Sequence, residues 1–149
     1  MQQIKYKGKK RLAYDMGFNN CTLIPDSFFE NVDIVLPIPL HWSRFWKRGY
    51  NQAEQFGRGI IEGKKLPILF KTDIVTRTRS TGTQTKLDKT SRKRNISDAF
   101  SVAQPEMVKN KHIVLFDDVV TTGATVNACS KVLLNSGCAS VKVCALARD

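Results

Sequence analysis

"HIVLFDDVVTTGAT", His112–Thr125, is the stretch on which the fold turns. An apolar, β-branched run ends in two adjacent carboxylates, Asp117 and Asp118, and a Thr/Gly-rich turn follows at once. Beyond the turn, Val126, Cys129, Val132 and Leu133 recur at helical spacing, and Gly137 is placed to end that helix. "SVKVCALA" then reads as another strand. Strand, turn, helix and strand in this order predict a parallel sheet with right-handed crossovers.

In open parallel sheets, ligands bind at the carboxyl ends of the strands, where this reading places Asp117 and Asp118. "TTGAT" opens a helix, whose unpaired backbone N–H groups and partial positive charge suit a phosphate. Gly123 lets the backbone come close, and Thr121, Thr122 and Thr125 add hydroxyl donors. The phosphate therefore belongs on the turn. The acids call for hydroxyls or a cation: the vicinal hydroxyls of a ribose fit, and a Mg²⁺ bridge is the other chemistry two carboxylates serve. A ribose 5-phosphate group satisfies both halves of the motif. A Gly-x-x-x-x-Gly-Lys loop is absent, and so is G-x-G-x-x-G.

Working outward, "VDIVLPIP" reads as a buried strand over Val32–Leu36, stopped by Pro37 and Pro39. A basic loop follows. Asn51 is placed to cap a helix reaching about Ile61, with Ala53, Phe56, Ile60 and Ile61 near one face. "ILFKTDIVTRTR" is read as one further strand region. Next comes a polar stretch without apolar period; between Lys71 and Arg94 the chain has eight basic and two acidic residues. A stretch of this length is usually a functional loop or a disordered one. Near the start, Leu12, Met16 and Ala13 suggest one face of a short helix.

The 149 residues suit a single domain able to bury roughly two thirds of its unfolded surface. No apolar run approaches the roughly 20 residues of a membrane span, and the opening "MQQIKYKGKKRLAYDMG" has no apolar leader core. The four cysteines, Cys21, Cys129, Cys138 and Cys144, form no C-x-x-C pair and have no His at ligand spacing. Reduced, mostly buried thiols in a cytoplasmic protein are expected, with no zinc site. A net charge of +11 favours anionic partners: nucleic acid, phosphorylated metabolites or an anionic membrane surface.

"IVLFDDVVTTGATV" resembles the phosphoribosyl-diphosphate (PRPP) binding motif of type I phosphoribosyltransferases. "PIPLHWSRFWKRGYNQAEQFGRGI" is similar to a P-x-P-L…R…R-G-[FY]-N-Q-[AS] signature of the ComF/GntX group, the competence-protein branch of that family. "RTRSTGTQTKLDKTSRKRNISDAF" resembles the same group's R-x-R-x-T-x-x-Q-x-x-L…R-x-x-N…A-F block, and "IKYKGKKRLAYDMG" fits the segment opening its transferase domain. The likeness covers almost the whole chain. It departs in one respect: many members carry a cysteine-rich zinc ribbon ahead of this opening, and these cysteines do not replace it. A naturally short form or a fragment is expected, and no role of that module is carried over.

The resemblance implies an α/β type I phosphoribosyltransferase fold over residues 1–149. A central, mostly parallel twisted sheet would be flanked by helices, with a basic flexible loop over 78–95. It implies that Asp117 and Asp118 contact the ribose hydroxyls as catalytic residues. Thr121, Thr122, Gly123, Ala124 and Thr125 would hold the 5-phosphate. Arg44, Lys47, Arg48 and Asn51 would meet pyrophosphate. Arg77, Arg79, Gln84, Arg92 and Asn95 would belong to the loop closing over substrate. The implied reaction is phosphoribosyl transfer from PRPP to an unidentified acceptor, with Mg²⁺ held mainly by the substrate, and a homodimer is an expected assembly. No general base stands out, since His41 and His112 are the only histidines. A different reading is a non-catalytic, PRPP-binding competence factor. Its Trp42, Phe45 and Trp46, interleaved with cations, would stack single-stranded DNA.

Overall fold

The computed structural model describes residues 2–40, 45–46, 48–78 and 99–148. Its centre is a four-stranded, all-parallel sheet. The strands are β1 (Ile34–Pro37), β2 (Leu69–Phe70), β5 (His112–Val120) and β6 (Ser140–Arg148), in the order β2-β1-β5-β6. A separate antiparallel pair joins β3 (Val75–Arg77) to β4 (Phe100–Val102). The helices are α1 (Gln2–Asn19), α2 (Gln52–Gly63), a single turn α3 (Pro105–Val108) and α4 (Ala124–Asn135).

Both faces of the sheet are covered, which is why β1 and the Ile113–Phe116 part of β5 are apolar without alternation. Ile34, Leu36, Ile113 and Leu115 turn to one side, where they pack with Val126, Cys129 and Leu133 of α4 and with Val75 and Phe100 of the hairpin. Val35, Val114 and Phe116 turn to the other side, onto Phe56 and Ile60 of α2. Phe116 anchors that layer, edge-on to Phe56 at 6.0 Å and stacked on Phe70 at 6.4 Å.

The order of strands decides where a ligand can enter. From β1 the chain crosses by way of α2 to β2 on one side. From β5 it crosses by way of α4 to β6 on the other. The two crossovers diverge between β1 and β5, so the sheet's topological switch point lies at their carboxyl ends. Pro37 is the last β1 residue in register, opposite Phe116, and the Ile38 N–H donates to the Phe116 carbonyl at 2.8 Å. Asp117 and Asp118 are therefore the first β5 positions past the end of β1.

Several sequence expectations are corrected. β1 runs Ile34–Pro37, so Pro37 ends the strand from within it, a position where its missing N–H costs little. The region from Ile68 to Arg77 is two strands in two sheets, split by a bend at 72–74. β5 does not stop at the acids. Val119 and Val120 stay in register with Ala147 and Arg148, because β6 is long enough to partner them. Near the N-terminus a long helix replaces the short one, and the face that packs is not the Leu12/Met16 face. Ala13 is buried, but Leu12 is 58% exposed. α1 meets α2 through small residues instead. A Cβ on Gly17 would stand 2.2 Å from the Phe56 carbonyl oxygen, and one on Gly59 2.2 Å from that of Tyr14, so the two backbones touch.

Candidate functional site

The acid pair is built by the end of β5, and its two members are not equivalent. Asp117 falls on the α4 side of the sheet, following Ile113 and Leu115, and is buried; Asp118 is half-buried. The Asp117 Oδ1 accepts the Asp118 N–H at 2.9 Å, and the Asp118 Oδ1 accepts the Val119 N–H at 2.9 Å. Burial, and after it the neighbouring Asp118 charge, push the Asp117 carboxyl up to about 7, against the opposing hydrogen bond from the Asp118 N–H and, after it, the Arg77 charge. Below Asp117 lies Cys129 of α4, fully buried, its thiol pushed up to about 12 by burial and then by the Asp117 charge.

The turn that follows has the form the sequence predicts. Gly123 sits at φ +74°, the left-handed region that favours glycine, and precedes the first residue of α4. No side chain caps the helix there. The Asn127 N–H closes the first helical bond on the Gly123 carbonyl at 2.8 Å, and the Thr122 hydroxyl faces the Ala124 N–H at 3.4 Å. Thr121 and Thr122 are exposed, while Gly123, Ala124 and Thr125 are half-buried. Val120 to Gly123 form one wall of an open cavity of about 420 Å³. Its other wall is the end of β6, where Val143, Ala145 and Ala147 line one side and Arg148 supplies a cation. The sequence reading missed this wall. Its signal was the alternation of small side chains, Ala145 and Ala147, at a strand end beside the turn.

The pyrophosphate-loop residues divide. Arg44 and Lys47 lie outside the described residues. Arg48 is half-buried and donates to Gln52 Oε1. Asn51 is buried, with both ends of its amide engaged: Oδ1 accepts the Ala53 N–H at 3.0 Å, capping α2, and Nδ2 donates to the Ile38 carbonyl at 2.9 Å. It thereby fastens the start of α2 to the end of β1, beside the crevice. Phe45 and Trp46 are exposed, Trp46 at 82%; Trp42 lies outside the described residues.

Of the residues assigned to the closing loop, Arg79, Gln84, Arg92 and Asn95 lie outside the described residues. Arg77 is described, and it belongs to the framework as the last residue of β3, half-buried, with its guanidinium carbon 5.3 Å from the Phe100 ring centre. The Thr78 N–H donates to the Ala99 carbonyl at 2.9 Å, so Thr78 and Ala99, the described residues on either side of 79–98, are hydrogen-bonded neighbours. Among the described residues, no group of three or more His, Cys, Asp or Glu is placed to hold a metal ion. His112, at the exposed start of β5, shares a 2.8 Å hydrogen bond with Ser140 at the opposite end of the strand from the acids. No described helix is long and apolar enough to cross a membrane.

Residues 52–149 match the phosphoribosyl transferase domain family. The DNA utilization protein YhgH of Escherichia coli (strain K12) is 40% identical over 116 residues, covering 78% of this chain and 49% of that protein. Competence protein F of Haemophilus influenzae is 38% identical over 120 residues, covering 78% of this chain and 50% of that protein. The chain thus spans about half the length of the curated relatives it matches. Among solved structures, a hypoxanthine phosphoribosyltransferase from Staphylococcus aureus superposes with a TM-score of 0.54. That match covers 91% of this chain and 62% of the other at 11% identity, a likeness of fold alone.

Proposed function

We propose, for a chain that belongs to the phosphoribosyl transferase domain family and to its competence protein F-like branch, that the β5–α4 site binds PRPP and transfers its phosphoribosyl group to an acceptor. The observation that carries this reading is the placement of a carboxylate pair at the switch point, followed directly by an uncapped helix start. Ribose hydroxyls would donate to Asp117 and Asp118. The 5-phosphate would accept from the N–H groups of the Gly123–Thr125 turn and from the hydroxyls of Thr121, Thr122 and Thr125.

The substrate is the magnesium salt of PRPP, with the ion carried on its diphosphate. In transfer, the bond from C1 to the pyrophosphate oxygen breaks as a nucleophile on the acceptor forms its bond to C1. The acceptor's proton is released, and pyrophosphate leaves with its electron pair. Two carboxylates beside the ring favour the positive charge that C1 develops. Arg44, Lys47 and Arg48, following β1, would receive the pyrophosphate. The segment from Thr78 to Asn95 would close over the sugar and exclude water. A cytoplasmic location and a homodimer are part of the same proposal. Pyrophosphate release from PRPP in the presence of some nucleobase or amine is the expected result. No release across a broad acceptor panel would count against transfer, leaving PRPP binding to be judged separately.

The exposure of Trp46 and Phe45, next in sequence to Arg44, Lys47 and Arg48, favours a second reading: a single-stranded DNA contact. Oligonucleotide affinity should then fall steeply with salt on a log–log plot. Binding that ignores ionic strength, or fails at low salt, would contradict it.

A further inference from the structure

The phosphate turn brings no cation of its own. From Thr121 to Ser130 the chain has no Lys or Arg. The cavity that the turn shares with the end of β6 does hold one: of the described residues lining it, Arg148 alone carries a charge. Strand register puts that residue beside the turn. Arg148 is the β6 partner of Val120, the residue just before Thr121, and the two form the last rung of the β5–β6 ladder. Arg148 is exposed, and among the described residues no carboxylate pairs with it. Arg58 and Lys64, by contrast, are each engaged by an acid. The small side chains of Ala145 and Ala147 leave the space between this strand end and the turn open.

We propose that Arg148 is a phosphate ligand of the site, whose guanidinium completes from the β6 side the anion cradle that the Thr121–Thr125 turn begins, and that it selects a sugar phosphate in its doubly charged form. The proposal rests on the ribose-phosphate reading of the site and adds to it a residue and a charge preference. Backbone N–H groups and hydroxyls supply directed donors but no full charge. A phosphate monoester loses its second proton at about pH 6, so it carries nearly two charges at neutrality. A guanidinium stays protonated and offers two parallel N–H donors to two phosphate oxygens. The cavity, about 420 Å³, has room for the phosphate and for the side chain that meets it. The sheet order also separates this cation from the others in the proposed site. β1 and β6 flank β5 on opposite sides. The cations that follow β1 would serve pyrophosphate, and Arg148 at the end of β6 would serve the 5-phosphate.

The test compares wild type, Arg148→Gln and Arg148→Lys with ribose 5-phosphate as the probe, by calorimetry at pH 8 and by phosphorus-31 titration of the bound phosphate. In Arg148→Gln the affinity should fall roughly tenfold, and the midpoint of the bound phosphate should rise by about half a pH unit or more. Arg148→Lys should restore most of the midpoint but only part of the affinity, since it returns the charge without the fork. A merely structural role at this exposed strand end does not move the phosphate midpoint. Inorganic pyrophosphate, the probe for the residues after β1, should bind all three proteins alike. Unchanged affinity for ribose 5-phosphate in Arg148→Gln, an unmoved midpoint, or an equal loss toward pyrophosphate overturns the proposal and leaves the ribose-phosphate reading standing. No saturable binding of ribose 5-phosphate by the wild type overturns that reading, and the proposal with it.

Discussion

At the scale of single residues, Asp117 is where the proposed function opposes stability. Its carboxyl is raised, first by burial and then by Asp118, to about 7 in the folded protein, against an ordinary value near 3.8. An acid raised by folding supports the fold at low pH, and that support is lost as pH climbs through the folded value. Between about pH 4 and pH 8 the ligand-free protein should lose about 2–4 kcal/mol from this group. Asp117→Asn should remove the loss, raising Tm at pH 8 by roughly 5–10 °C and leaving it nearly unchanged at pH 4. Equal Tm for both proteins at pH 8, in a thermal scan followed by circular dichroism, would show that Asp117 is not strained. The acids and the turn were legible in sequence because they are contiguous, from Asp117 to Thr125. The β3–β4 hairpin was not, because its two strands are far apart in the chain and no local pattern announces their pairing.

At the scale of elements, the reading held where burial follows a simple period and failed where backbone contact replaces it. α2 is apolar on one face and capped by Asn51, and it begins where that cap predicts. α1 misled because its packing surface is made of Ala13 and Gly17, while the larger Leu12 faces outward. The Gly17–Gly59 crossing sets how closely the two helices approach, and α2 in turn covers Val35, Val114 and Phe116 just below the acids. Gly59→Ala should cost about 1–3 kcal/mol, because its Cβ would press on the Tyr14 carbonyl, which cannot move without shifting α1. Urea unfolding should show this as a lower midpoint at unchanged slope. An unchanged midpoint would mean that the helices do not cross through these glycines. The two extra residues of β5 were hidden for a different reason: Val119 and Val120 are strand because β6, twenty residues later, reaches them.

At the scale of the whole molecule, the protein has a type I phosphoribosyltransferase fold in which two crossovers diverge from a central strand pair. That divergence puts the switch point at the carboxyl ends of β1 and β5, beside the Asp117–Asp118 pair. Strand order was accessible in outline from the βαβ pattern; the position of the hairpin was not, since β3 and β4 are separated by more than twenty residues. The net charge of +11 fits the proposed division of the site, in which the acids would take the sugar and the turn and the cations would take its phosphates. The central claim is that this pair and this turn together form a PRPP site. Calorimetric titration with PRPP and Mg²⁺ at pH 8, comparing wild type with Asp117→Asn/Asp118→Asn, tests it most directly. The account predicts binding by the wild type and affinity roughly a hundredfold weaker or worse in a folded double variant. Equal affinity of the two proteins would contradict it.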